Sequence, residues 1–151
     1  MNKLLNFIYP TVILLCLIFI QPGCSSNENP ADGGIGSTTV TGTLTLPAVA
    51  NGKTFAVIID NDSDGDNGFL YSVTGTCSSG TTLNYSINNV AEGNYYIYAV
   101  VFVVGDTTQG PQTGDYLGIY GGTISNPPTS RNASVPSSGT VTFNITLYVM
   151  S

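Results

Sequence analysis

Beyond residue 38 the chain alternates between apolar and polar side chains with a period of two. The run Val40-Thr-Gly-Thr-Leu-Thr-Leu46 does so until Pro47 ends it, and Val141-Thr-Phe-Asn-Ile-Thr-Leu-Tyr-Val149 repeats the pattern. A helix would smear such a pattern around its circumference, whereas a strand sends alternate side chains to opposite faces. Thr54-Phe-Ala-Val-Ile-Ile-Asp60 reads as a further strand, Phe69–Thr74 and Thr82–Ile87 as shorter ones, and Asp115–Tyr120 as another. Asn94–Val104, NYYIYAVVFVV, is apolar nearly throughout, which predicts a central strand covered on both faces. Gly, Pro and Asn cluster at 47–53, 105–114, 121–128 and 136–139, between these runs. Helix formers are scarce after residue 20. The expected fold is all-β, a single antiparallel β-sandwich of about seven strands over residues 38–151.

The length of 151 residues allows one domain with a real core. Charged residues are 8% of the chain against 42% hydrophobic ones, which excludes acidic disorder. The net charge is -6, with three basic residues, nine acidic ones and no histidine. Beyond the first 23 residues only Lys53 and Arg131 could meet phosphate, so nucleic acid is not an expected partner.

Residues 1–23 read as an export signal. Met1-Asn-Lys3 supplies a short positive start and Val12–Ile20 an apolar stretch of nine residues, with Asn6 and Pro10 interrupting it upstream. A membrane-spanning helix needs about 20 apolar residues, so cleavage is expected rather than a span. Gly23-Cys24-Ser25-Ser26 resembles the lipobox ending of bacterial lipoprotein signals. The resemblance implies that Cys24 is diacylated and tethers the mature chain to a membrane. Ser25 is no acidic retention signal, which implies the outer membrane of a bacterial envelope. The alternative is plain secretory cleavage, with Cys24 left as a thiol that could bridge to Cys77. If Cys24 is lipidated, Cys77 stands alone in the mature chain and behaves as a small apolar residue. Cys24 to Ser37 then forms a flexible linker, reaching on the order of 20 Å.

Val40-Thr-Gly-Thr-Leu and Ile87-Asn-Asn-Val-Ala-Glu-Gly-Asn-Tyr-Tyr-Ile97 resemble the opening strand and the Gly-x-Tyr hairpin of transthyretin-like sandwiches. That group includes carboxypeptidase regulatory-like domains and the B-type repeats of surface adhesins. The expected geometry has Gly93 turning with positive φ and Tyr95 covering the turn. Some adhesin repeats join Lys to Asn by an internal isopeptide bond, for which Lys53 and Asn144 are the available pair. Lys53 falls in a Gly-rich turn, so an exposed, unlinked lysine is expected instead.

Without histidine, neither a Ser-His-Asp nor a Cys-His nucleophile can be assembled. Zinc would have only carboxylates and Cys77 to hold it. Glu92, Asp106 and Asp115 show no spacing that points to a glycosidase pair. The sharper feature is Asp60-Asn-Asp-Ser-Asp-Gly-Asp-Asn-Gly68, which gathers four of the nine acids. Asp60, Asp62, Asp64 and Gly65 match the opening positions of an EF-hand calcium loop, and Asp66 falls where a backbone carbonyl contributes. Tyr71 stands where the closing bidentate Glu belongs, so a full shell would need Glu92, Asp106, Asp115 or water. Either this loop binds calcium or it is a solvated Asp/Asn/Gly turn. The tyrosines are the other candidate. Strand periodicity places Tyr96 with Tyr98 on one face and Tyr116 with Tyr120 on one face, a possible exposed platform for a glycan or protein.

Four Asn-x-Ser/Thr sequons, at Asn61, Asn84, Asn132 and Asn144, read as ordinary strand and turn composition in such a chain. The sequence thus predicts a non-enzymatic, lipid-anchored envelope sandwich serving a structural or adhesive role, with calcium as a candidate stabiliser. The rival expectation is a carbohydrate-binding module built on the tyrosines.

Overall fold

The computed structural model describes residues 36–63 and 69–151. The signal, Cys24 and nearly all of the linker therefore lie outside the described residues, as do Asp64, Gly65 and Asp66 of the acidic run.

Among the described residues ten strands run in the order β1 (Ser37–Thr45), β2 (Thr54–Asp60), β3 (Tyr71–Thr76), β4 (Thr82–Val90), β5 (Gly93–Phe102), β6 (Tyr116–Ile119), β7 (Ala133–Val135), β8 (Ser138–Thr142), β9 (Ile145–Thr146) and β10 (Tyr148–Val149). One sheet has the order β4-β1-β8, with β9 continuing alongside β1; the other has the order β10-β6-β5-β2-β3, with β7 on β5. The all-β sandwich expected from alternation is the observed architecture. The run Asn94–Val104 becomes β5, flanked by β2 and β6.

Ten strands stand where about seven were expected, β7 among the additions, and two further features depart from expectation. The sandwich is not wholly antiparallel, because β1 pairs in parallel with β8 and with β9. And Val141–Val149 is not one strand. Its alternation survives, with Phe143, Ile145 and Leu147 buried and Thr142, Asn144 and Thr146 exposed. The segment nevertheless changes sheets: Leu147 N–H bonds the Thr45 carbonyl at 2.9 Å, and Tyr148 then pairs with Leu117. Alternation tells each residue which face it occupies; it does not choose the neighbouring strand.

The core lies between the sheets. Val40, Leu44, Leu83, Tyr85 and Ile87 enter from one side, and Val57, Ile59, Ile97, Ala99 and Val101 from the other. Each of the Val, Leu and Ile side chains among them contributes about 1.5–3 kcal/mol relative to exposure. A second apolar cluster sits on the opposite face of the larger sheet, where Ala56, Val100, Phe102, Leu117 and Met150 are covered by Phe69 and Ile124. Both faces of β5 are thus buried, which is why its sequence does not alternate. The outward face of the smaller sheet is the reverse. It carries Thr39, Thr41 and Thr43 beside Asn84, Ser86 and Asn88, all polar and uncharged.

The break between β8 and β9 has a local cause. The Phe143 carbonyl turns inward, where the buried Tyr85 hydroxyl donates to it at 2.7 Å. Gly42 makes room, since a Cβ there would stand 1.9 Å from that carbonyl oxygen. Asn144 then substitutes for the displaced carbonyl, its Oδ1 accepting from the Thr43 N–H at 3.0 Å and the Thr43 hydroxyl at 2.9 Å.

Candidate functional site

The two acids of the acidic run that are described sit at the exit of β2. Asp60 ends the strand opposite Tyr96 and is 1% exposed, its Oδ1 accepting from the Asn61 N–H at 2.8 Å. Asp62 follows, partly buried. Among the described residues no three His, Cys, Asp or Glu side chains gather where they could hold a metal ion.

The structure decides which distant acids could join them. Asp60 pairs with Tyr96 near the start of β5, whereas Thr54 pairs with Phe102 at its end. Asp106 and Asp115 belong to the loop that follows Phe102, so six residues of strand, roughly 20 Å, separate them from Asp60. They cannot complete a shell around Asp60. Glu92, exposed just before Gly93, lies at the same end as Asp60. A calcium ion there would draw on the loop itself, Glu92 and water, as hard oxygen donors permit.

Asp106 and Asp115 have a different task. Asp106 caps its own turn, accepting from the Thr108 hydroxyl at 2.6 Å and from the N–H groups of Thr108 and Gln109 at 2.8 and 3.0 Å. The Thr108 hydroxyl, followed by these N–H groups, holds the Asp106 carboxyl below its ordinary value. Asp115 is fully buried. Its Oδ1 accepts from the Val104 and Gly105 N–H groups at 2.7 and 3.1 Å, and its Oδ2 from Gln112 N–H at 2.7 Å. One carboxylate therefore folds the whole 103–115 loop around itself. An Asp placed directly before a strand, after a loop rich in Gly and Gln, was the available signal for this role.

The tyrosines do not form a platform. Tyr96 and Tyr98 do share a face and stack at 6.2 Å and 25°. That face is the covered one, however, and Tyr96 is only 8% exposed. Tyr116 and Tyr120 share the opposite, core-facing side. Tyr116 is buried, and Tyr120 packs edge-on against Phe143 at 4.8 Å. Gly118 between them lets β9 cross, since a Cβ there would stand 2.6 Å from the Thr146 carbonyl oxygen. The four rings are thus divided between opposite faces of the sheet, with Tyr96 and Tyr116 buried and Tyr98 and Tyr120 half-buried. Period two predicted the pairing correctly but could not foresee that both faces of this sheet are covered.

Tyr95 does cover the β4–β5 turn. Its hydroxyl donates to the Ala91 carbonyl at 3.1 Å, while the Ala91 N–H donates to the Tyr71 hydroxyl at 3.2 Å. The two rings meet edge to face at 6.1 Å and 89°. This is the arrangement of a tyrosine corner, which ties a strand to the turn that precedes it. Burial, and then the neighbouring Tyr71, push the Tyr95 hydroxyl up to about 12. Gly93 is needed for another reason than expected. Its φ is not positive; Asn89 is the residue in the left-handed region, at φ 61. A Cβ at Gly93 would stand 3.0 Å from the Tyr95 ring that lies over it.

The fold also has two unlike ends. The chain enters β1 at Gly36, pressed so closely to the Val90 carbonyl that a Cβ would stand 2.1 Å from its oxygen. Asp60, Glu92 and the tyrosine corner share this end. The large exposed apolar side chains among the described residues are Val49, Val104, Tyr148 and Val149. By strand register all four lie at the other end, in the loops after β1 and β5 and on β10. Lys53 is exposed there too, whereas Asn144 is engaged with Thr43, so the two are not an isopeptide pair.

The chain was compared with protein-family models, curated proteins and solved structures, and it matches none of them.

Proposed function

We propose that this chain is a non-enzymatic, lipid-anchored module of a bacterial cell envelope, tethered through Cys24 and serving a structural or adhesive role. The observation that carries the reading is the polarity of the fold. The linker joins the domain at the Gly36 end, and the exposed apolar side chains Val49, Val104, Tyr148 and Val149 all lie at the opposite end by strand register. A module held to a membrane by its N-terminal arm presents that far end outward. The sequence from Met1 to Ser26, with its positive start, apolar run and Gly23-Cys24 ending, supports the tether. The structural use of Asp106 and Asp115 supports the non-enzymatic reading. The Tyr95 corner supports kinship with transthyretin-like sandwiches. Calcium at the acidic loop belongs to the same proposal, as a stabiliser at the membrane-facing end.

Metabolic labelling with palmitate tests the anchor. Wild type takes up label and Cys24→Ala does not; an unlabelled wild type overturns the reading. Protease treatment of intact cells then distinguishes a surface-exposed adhesive role from a periplasmic structural one.

A further inference from the structure

The first strand of the domain is laced to β8 and β9 along most of its length. β1 runs in parallel with β8 from Ser37↔Ser138 to Thr41↔Thr142, and with β9 from Leu44↔Ile145 to Thr45↔Thr146. Side chains reinforce the backbone at nearly every step. Thr38 Oγ1 donates to the Pro136 carbonyl at 2.5 Å, Thr41 and Thr142 hydroxyls meet at 3.1 Å, and Asn144 takes both the N–H and hydroxyl of Thr43. The Leu147 N–H closes the far end on the Thr45 carbonyl. This lacing explains the Thr-x-Thr-x-Thr spacing of β1, whose polar face bonds neighbouring strands rather than simply meeting water.

Direction matters as much as number. The chain enters β1 at one end of the sandwich, and the segment after β9 leaves at the other. Tension between the two therefore pulls β1 and β8–β9 past one another along their own axes. Hydrogen bonds across a strand pair loaded this way are sheared together, whereas bonds peeled from one end fail one at a time. β1 is also the middle strand of its sheet, so β4 resists the same displacement through seven register pairs.

We infer that the β1–β8–β9 patch is a shear clamp, making the domain a tension-resisting link between its N-terminal arm and its far end. The clamp follows from strand register and stands without the lipid anchor, so palmitate labelling and the force measurement fail independently.

The test is single-molecule pulling of the full chain between fused handle domains. In the first geometry the handles are at the two termini. In the second, one handle is at the N-terminus and the other is coupled to an azide-bearing residue at position 137, beside the start of β8. The terminal geometry is expected to unfold in one step and at the higher force, because the evenly spaced bonds of the parallel ladder share the load. Asn144→Ala is expected to raise the unfolding rate roughly tenfold in that geometry, from the loss of two hydrogen bonds, and to leave the position-137 geometry nearly unchanged. Thr142→Ala, which removes one side-chain contact from an exposed position, serves the same comparison if Asn144→Ala does not fold. Equal forces in the two geometries, or equal weakening of both by either variant, overturn the clamp.

Discussion

Replacing Asp115 by alanine is expected to destabilise the domain more than its position in a loop would suggest. The side chain is 0% exposed and accepts three backbone N–H groups, from Val104, Gly105 and Gln112, at 2.7, 3.1 and 2.7 Å. The loop leaves little space for a substitute acceptor, since a Cβ on Gly105 would already stand 2.8 Å from Asp115 Oδ2 and 2.9 Å from the Gly110 carbonyl oxygen. Hydrogen bonds to a charged group contribute about 1.5–3 kcal/mol each, and water entering beside exposed Val104 would replace part of them. Three buried N–H donors left without acceptors cost about 1–3 kcal/mol each, partly recovered by water, so the net loss for Asp115→Ala is about 3–5 kcal/mol. Against a total stability of about 5–15 kcal/mol this is a large share. Asp115→Asn should fall between wild type and alanine. Its amide oxygen can keep the Val104 and Gly105 bonds, but its NH2 group then confronts the Gln112 N–H, so about 2 kcal/mol is lost. Urea unfolding followed by far-UV circular dichroism measures the series, with the midpoint falling in the order wild type, Asn, Ala at constant slope. Amide exchange adds the local readout, with protection lost first at Val104, Gly105 and Gln112. An Asp115→Ala protein within 1 kcal/mol of wild type, or less perturbed than Asp115→Asn, would refute the role given to this carboxylate.

Gly42→Ala is expected to cost about 3 kcal/mol or more in the same urea assay, because its Cβ would stand 1.9 Å from the Phe143 carbonyl oxygen and 2.6 Å from Tyr85 Cε1; a midpoint within error of wild type would show that the carbonyl can move aside. For the tyrosines, burial raises Tyr85, and burial followed by Tyr71 raises Tyr95 to about 12. A hydroxyl whose folded value lies above its unfolded one stabilises the fold below about pH 10, and that contribution is lost as pH rises toward 12. Tyrosinate absorbance near pH 11 should therefore leave these two rings un-ionised until the protein unfolds, and full ionisation while the circular dichroism spectrum is still native would contradict this.

Much of the fold was legible because a period of two has one physical meaning. Val40, Leu44, Phe143 and Ile145 had to share a side, and they do so in the core. The unbroken apolar run of β5 likewise announced a strand buried on both faces. The acidic run was visible as a cluster, and the tyrosine pairs as pairs. Their surroundings were not visible. Phe69 and Ile124 pack on Ala56, Val100, Phe102, Leu117 and Met150 on the Tyr96 and Tyr98 face of the sheet, and loop paths leave no period in a sequence. Asp115 looked like a spare acid because its three partners are backbone groups, which every residue carries.

By itself the sequence determined that this chain is a sandwich of short strands, which residues point inward, and that its acids gather after one strand. Local alternation is enough for that, because face follows from parity along the chain. Tertiary structure alone decided that β1 lies parallel to β8 and β9, that Val141–Val149 crosses between sheets, and that Asp106 and Asp115 stand a strand's length away from Asp60. Those outcomes depend on which strands become neighbours across about 100 residues of chain. Pairing at that distance is selected by how all the buried faces fit at once, so no window of sequence contains it.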